Sequence, residues 1–209
     1  MQDKLSPKSD AVRPAVTKPA PSGKILVFTA PSGAGKTTLV RHLLEKFPEK
    51  MAFSVSATTR PPRAHEEHGK DYYFLSKEDF REGIASSKFL EFEEVYADQF
   101  YGTLRSEISR VWSEGKAVVF DVEVKGAAAI KAAYPESACV VFISPPSPKV
   151  LFDRLRARGT EDEDSLKKRI ARAKEELMYR DRFDYVLVND DLNEAKKGAE
   201  ELALYWLDQ

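Results

Sequence analysis

The sequence has one cysteine, almost no excess charge of either sign and no apolar run long enough to span a membrane. Each shortage closes a class. The lone Cys139 cannot form an intrachain disulfide, and it lies within Ala138-Cys139-Val140-Val141-Phe142-Ile143, where a small buried residue is expected. That usage fits a reducing, cytoplasmic setting. With 33 basic and 34 acidic side chains the formal net charge is −1, so nothing global recruits nucleic acid or an anionic membrane. Any anion site has to come from local clustering. A membrane-spanning helix needs about 20 consecutive apolar residues, and no segment offers them. Large apolar residues are also scarce in residues 1–22, where Leu5, Val12 and Val16 stand alone after Met1 among Lys, Ser, Pro and Ala. The continuous apolar stretch of a secretory signal is missing there, and a flexible tail is expected.

Residues 23–209 hold enough apolar side chains for a single core, the whole chain being 42% hydrophobic. Ile25-Leu26-Val27-Phe28 predicts a short buried strand. A glycine-containing turn follows, and then a helix over 37–47 with Leu39, Leu43, Leu44 and Phe47 on one face and Pro48 as its stop. Residues 117–120, 139–143 and 185–188 have the length and β-branched content of strands covered on both faces. Helical stretches separate them, and a last helix near 192–207 closes the unit. This alternation predicts an α/β fold, a parallel sheet flanked by helices.

Two segments break the rhythm. Residues 54–106 carry strand-like pieces at 54–59, 71–75 and 89–96 around one helix headed by the capping box Ser76-Lys77-Glu78-Asp79. They read as a small α+β insertion. Residues 147–176 are strongly charged and helical, with Gly159 as the break between two helices, and hold too few apolar residues to be core. They read as a mobile lid. The core is then 23–53, 107–146 and 177–209.

The strongest local signal is Ala30-Pro31-Ser32-Gly33-Ala34-Gly35-Lys36-Thr37-Thr38, between a predicted strand and a predicted helix. Small residues let successive backbone N–H groups curl around a phosphate, and the positive helix end adds to the attraction. Lys36 supplies a point charge for the β- and γ-phosphates of a nucleoside triphosphate, and the Thr37 hydroxyl suits Mg²⁺. Alanine at position 30 replaces the usual glycine, which is acceptable if that position needs no positive φ.

A second set of motifs is more specific. Phe53-Ser54-Val55-Ser56-Ala57-Thr58-Thr59-Arg60-Pro61-Pro62-Arg63 resembles the acceptor-binding signature of guanylate kinases, P-loop enzymes that phosphorylate nucleoside monophosphates. Gly69-Lys70-Asp71-Tyr72-Tyr73-Phe74, Phe89-Leu90-Glu91 and Tyr101-Gly102-Thr103 match further family segments in order and spacing. The resemblance runs from about Lys24 to the C-terminus through Asp121-Val122-Glu123, 154–159 and Val188-Asn189-Asp190-Asp191.

It implies ATP as donor, GMP and dGMP as acceptors, Mg²⁺ as cofactor and a place in purine nucleotide metabolism. Arg60 and Arg63 offer planar forks to the acceptor phosphate, and Tyr72 and Tyr101 offer hydroxyls. By resemblance Glu91 accepts from the N1–H and amino group of guanine, which adenine lacks, while Ser56 and Thr103 serve O6 and N7. Gly102 belongs to the same segment, and Glu123 stands where relatives have an acid that helps bind guanine. Asp121, at a strand end, suits Mg²⁺ through water. Lid arginines of the family face the ATP phosphates, and Arg154, Arg158 and Arg169 match them. Arg156, Lys167, Lys168 and Arg172 are expected to be solvated. Asn189 is expected at the adenine or at the lid hinge. Two rivals stand beside this reading: a scaffold domain that kept the fold but lost catalysis, and a kinase for another acceptor. The sequence leaves monomer and homodimer open.

Overall fold

The computed structural model describes residues 23–157 and 163–209. The expected tail, Gly159 and Arg158 therefore lie outside the described residues. The central sheet has five strands in the order β2-β7-β1-β8-β9, all parallel. They are β1 (Ile25–Thr29), β2 (Met51–Phe53), β7 (Ala117–Asp121), β8 (Ala138–Ser144) and β9 (Tyr185–Val188). The expected α/β architecture is what the chain adopts.

Helices cover both faces. Leu26, Phe28, Val119, Val141 and Ile143 pack on one side with α1 (Lys36–Lys46), α5 (Pro148–Ala157) and α7 (Leu192–Leu207). Ile25, Val27, Val118, Phe120 and Val140 pack on the other with α3 (Arg105–Ser113) and α4 (Val124–Ala133). Because successive side chains of a strand point to opposite faces, a strand buried twice must be apolar throughout, as β1, β7 and β8 nearly are. The strand order reverses at β1, with β7 on one flank and β8 on the other. Ligands of open α/β sheets bind beyond the strand ends at such a point. The loop after β1 sits there.

A second sheet, β4-β3-β6-β5, is built from β3 (Ala57–Thr58), β4 (Tyr73–Phe74), β5 (Phe89–Tyr96) and β6 (Gln99–Leu104). It has its own small core of Ala57, Phe80 and Phe89, with the Phe80 and Phe89 rings stacked at 4.2 Å. The helix α2 (Lys77–Ala85) opens as expected at Ser76, whose hydroxyl accepts from Asp79 N–H at 2.9 Å. The box is only half made, because the Asp79 carboxylate takes the Ser76 hydroxyl proton instead of reaching back to the Ser76 N–H.

Two expectations are corrected. β9 is not covered on both faces but is the edge strand, leaving Tyr185, Val186 and Val188 more than a third exposed. The segment 147–176 does contribute to the core: Leu151, Leu155 and Ala173 are buried on α5 and α6 (Glu163–Leu177). Its apolar residues are few, yet they share one stripe on each helix. A 3₁₀ turn at Arg180–Arg182 joins α6 to β9. Among the described residues no helix is long and apolar enough to cross a membrane.

Candidate active site

The loop from Ala30 to Gly35 leaves β1 and enters α1 without a side-chain cap. The first turn of a helix has N–H groups with no internal partner, so the uncapped end faces the cleft as an anion site. Gly33 and Gly35 both adopt φ of 91°, a left-handed conformation that a side chain resists. Ala30 is not among the residues with positive φ, so its methyl group is accommodated and is buried. Lys36 and Thr37 meet one carboxylate: Thr37 Oγ1 donates to Asp121 Oδ2 at 2.7 Å, and Lys36 Nζ pairs with Asp121 Oδ1. Burial lowers the Lys36 pKa to about 8, against the field of Glu176.

Over the loop lies α6, one face of which carries Arg169, Arg172 and Glu176. Arg169 donates to Ser32 Oγ at 2.9 Å, and the Ser32 N–H reaches Glu176 Oε2 at 3.4 Å. Burial pushes the Glu176 carboxyl upward, opposed by Arg172, the Ser32 N–H and Lys36. Together these groups line a cavity of about 400 Å³.

A second cavity of about 320 Å³ opens beside it, between the insertion and β7. Its floor holds Glu91 on β5, which accepts from Thr103 Oγ1 of β6 at 2.6 Å. The two residues are opposite one another in the antiparallel ladder. Gly102 is needed beside them, since a Cβ there would stand 2.8 Å from the Glu91 carbonyl oxygen. Burial raises the Glu91 pKa, with Glu93 adding to it and Thr103 opposing. Ser56, Tyr72, Tyr101 and Glu123 line the same space. Lys36 and Glu123 line both cavities, so the loop lysine stands at their junction.

The Arg60 guanidinium lies beside the Tyr72 and Phe74 rings, at 5.5 and 5.8 Å, and lines neither cavity. It donates both arms to Glu66, at 2.9 and 2.8 Å, and Glu66 also accepts from Arg63 N–H at 2.7 Å. This grip lowers the Glu66 pKa to about 2 and raises that of Arg60. The Arg63 side chain is mostly exposed and lines a third, adjoining cavity with Tyr72 and Thr37.

The family model described as guanylate kinase matches residues 22–203. The chain belongs to the guanylate kinase family. A guanylate kinase of Bacteroides fragilis is 47% identical over 186 residues, covering 88% of this chain and 91% of the relative. One from Salinibacter ruber is 50% identical over 175 residues, covering 84% and 92%. The crystal structure of guanylate kinase from Anaplasma phagocytophilum superposes with a TM-score of 0.68 at 28% identity, covering 90% of this chain and 88% of that one. The protein is therefore a nucleoside monophosphate kinase of this family.

The guanylate kinase fold brings most residues named from the sequence to the two cavities, but not all. Residues 30–33 and 35–38, with Arg169, surround the first, Ala34 being buried beneath it. Ser56, Tyr72, Glu91, Tyr101, Gly102, Asp121 and Glu123 surround the second. Thr103 is fully buried behind Glu91. Arg154 lines neither, and donates instead to the Asn189 carbonyl at 3.2 Å. Asn189 is buried under the loop, where its amide donates to the Ala34 carbonyl at 2.7 Å. It touches the loop backbone from below. Arg172 is exposed, as expected, but it is also ion-paired with Glu123 and Glu176. The reason is that α6 turns the 169–172–176 stripe into the cleft. Glu66, Glu176 and Glu107 were not singled out from the sequence. The signal for Glu66 was its place three residues after Arg63, just beyond the arginine segment.

Proposed function

We propose that the protein transfers the terminal phosphoryl group of ATP to GMP, and to dGMP, giving the diphosphate by direct in-line displacement. The observation that carries this reading is the position of Lys36 at the junction of two cavities, one lined by an uncapped helix end and the other floored by the Glu91–Thr103 pair. The donor phosphates take the first, with Lys36 and Arg169 neutralising charge. The acceptor base takes the second. Glu91 accepts two hydrogen bonds from guanine, whereas adenine would leave it desolvated and unpaired. Arg60, Arg63, Tyr72 and Tyr101 hold the acceptor phosphate, which displaces Glu66 from part of the Arg60 fork.

The acceptor oxygen is already anionic, so no side chain has to act as a strong base, and alignment and charge do the work. Thr37 Oγ1 and Asp121 Oδ2 are hard oxygen donors 2.7 Å apart at the loop mouth, a pair that fits Mg²⁺ held mainly by phosphates and water. Among the described residues no cluster of three metal-binding side chains competes for that ion. When bound it supplies further charge neutralisation. We assign 54–106 as the acceptor subdomain, 147–176 as the lid and the remainder of 23–209 as the core. Arg154 is assigned to hold α5 in register with Asn189, and Arg158 to the same lid. The buried Cys139, its pKa raised to about 12 by burial, suits the reducing cytoplasm proposed as the site of action.

A coupled assay with ATP and each of GMP, dGMP, AMP, CMP and UMP tests this. Turnover with the two guanine nucleotides and little with the others is expected. Equal turnover of AMP would overturn the role of Glu91, and no turnover of any would overturn the kinase reading.

A further inference from the structure

Arg172 belongs to the donor-side helix but pairs with the acceptor side. On α6, positions 169, 172 and 176 fall on one stripe, three and four residues apart. Arg169 reaches the phosphate loop at Ser32, whereas Arg172, lining the same donor-side cavity, reaches toward carboxylates that line the acceptor cavity. Its NH2 pairs with Glu123 Oε2 and stands 4.0 Å from Glu93 Oε2, while its Nε donates to Glu176 Oε1 at 3.2 Å. Glu93 is two residues from Glu91 on β5 and so shares its face of the strand. The acceptor cavity is therefore lined by four carboxylates, Glu91, Glu93, Glu123 and Asp121, of which Asp121 is paired with Lys36. An entering nucleoside monophosphate brings about two more negative charges. Arg172 is the cation that α6 lays across this acid cluster, and it is held there by contacts from both halves of the site.

We propose that Arg172 is a positioning residue that couples the two nucleotide sites, by tying α6 to the acceptor-side carboxylates Glu93 and Glu123. The inference rests on the two-site reading above and deepens it. A donor nucleotide that holds α6 against the loop through Arg169 also holds Arg172 on the acid cluster, which lowers the repulsion met by the acceptor. Binding free energies are reciprocal, so the acceptor must strengthen donor binding by the same factor.

The test is a pair of calorimetric titrations of GMP, with and without a saturating non-hydrolysable ATP analogue. They are run on the wild type, R172M, R172K and E93Q. For the wild type the analogue is expected to tighten GMP binding by about 5-fold or more. In R172M the ratio falls to near one. R172K keeps the charge without the planar fork and restores part of the ratio. E93Q lowers it, because one anchor is gone. A purely structural role of Arg172 would lower the melting temperature and leave the ratio intact. A wild-type ratio near one, or an R172M ratio equal to that of the wild type, overturns the proposal while leaving the kinase reading standing. Wild-type protein that binds neither nucleotide overturns the kinase reading itself.

Discussion

Lys36 is the side chain on which both halves of the site converge, and its surroundings make it sensitive to pH. Burial lowers its pKa from 10.5 to about 8. Glu176 opposes that shift. In the nucleotide-free protein the ammonium is charged below that value and is lost as pH rises through it. Affinity for a non-hydrolysable ATP analogue is expected to decline from about pH 8 in a titration series. A decline that begins only at the ordinary lysine value of 10.5 would contradict the buried position. Glu91→Gln places an amide group where guanine presents donors, so GMP affinity should fall about 100-fold while affinity for the ATP analogue stays within about twofold. Equal losses for the two nucleotides would show that Glu91 does not read the base. Lys36 was named from its place in a phosphate-loop motif between a predicted strand and helix, and Glu91 only through the family resemblance of Phe89-Leu90-Glu91. Glu176 was not, because its contact with Ser32 spans 144 positions and exists only once α6 folds over the loop.

At the scale of elements, the insertion is fastened to the core by one buried carboxylate. Glu107, on the first turn of α3, accepts from Val55 N–H at 2.9 Å and from the Tyr73 hydroxyl at 2.8 Å, while Arg110 donates to both its oxygens. It thus ties the chain entering the insertion to the chain leaving it. Glu107→Ala takes this partner from the Val55 N–H and the Tyr73 hydroxyl, while Arg110 keeps Glu114, and should cost about 2–3 kcal/mol in urea unfolding. A loss below about 0.5 kcal/mol would show that the clamp is replaceable. On the other side of the phosphate loop, His42 and Lys46 of α1 hold Glu200 of α7 at 2.6 and 2.5 Å, which braces the helix behind Lys36. Strands β1, β7 and β8 were readable because double burial leaves an unbroken apolar run. β6 was missed because Gln99-Phe-Tyr-Gly-Thr-Leu104 mixes site residues with pairing residues and has no such run. β9 was misread for the opposite reason: an edge strand can be apolar without being covered, and only its neighbours reveal which it is.

The whole molecule solves an electrostatic problem with almost no net charge to spare. With the chain at −1 overall, the proposed reaction needs two polyanions gathered through local cations and helix ends rather than through a general field. The central sheet supplies the fixed part, with the phosphate loop at the point where strand order reverses. The insertion and the helix pair α5–α6 supply side chains from either side. The α/β class was legible from alternation, the proposed donor half-site was read from a motif, and the proposed acceptor half-site came from the family resemblance. What linked them was not legible, since Arg172 and Glu107 act across elements that meet only in three dimensions. The central claim is that two nucleotides occupy separate, adjoining cradles on one chain. Its most direct measurement is calorimetric titration of GMP into protein already saturated with a non-hydrolysable ATP analogue. Binding of one GMP per chain, with the analogue retained, is the expected result. Displacement of the analogue by GMP, or heat from neither nucleotide on well-folded protein, would contradict it.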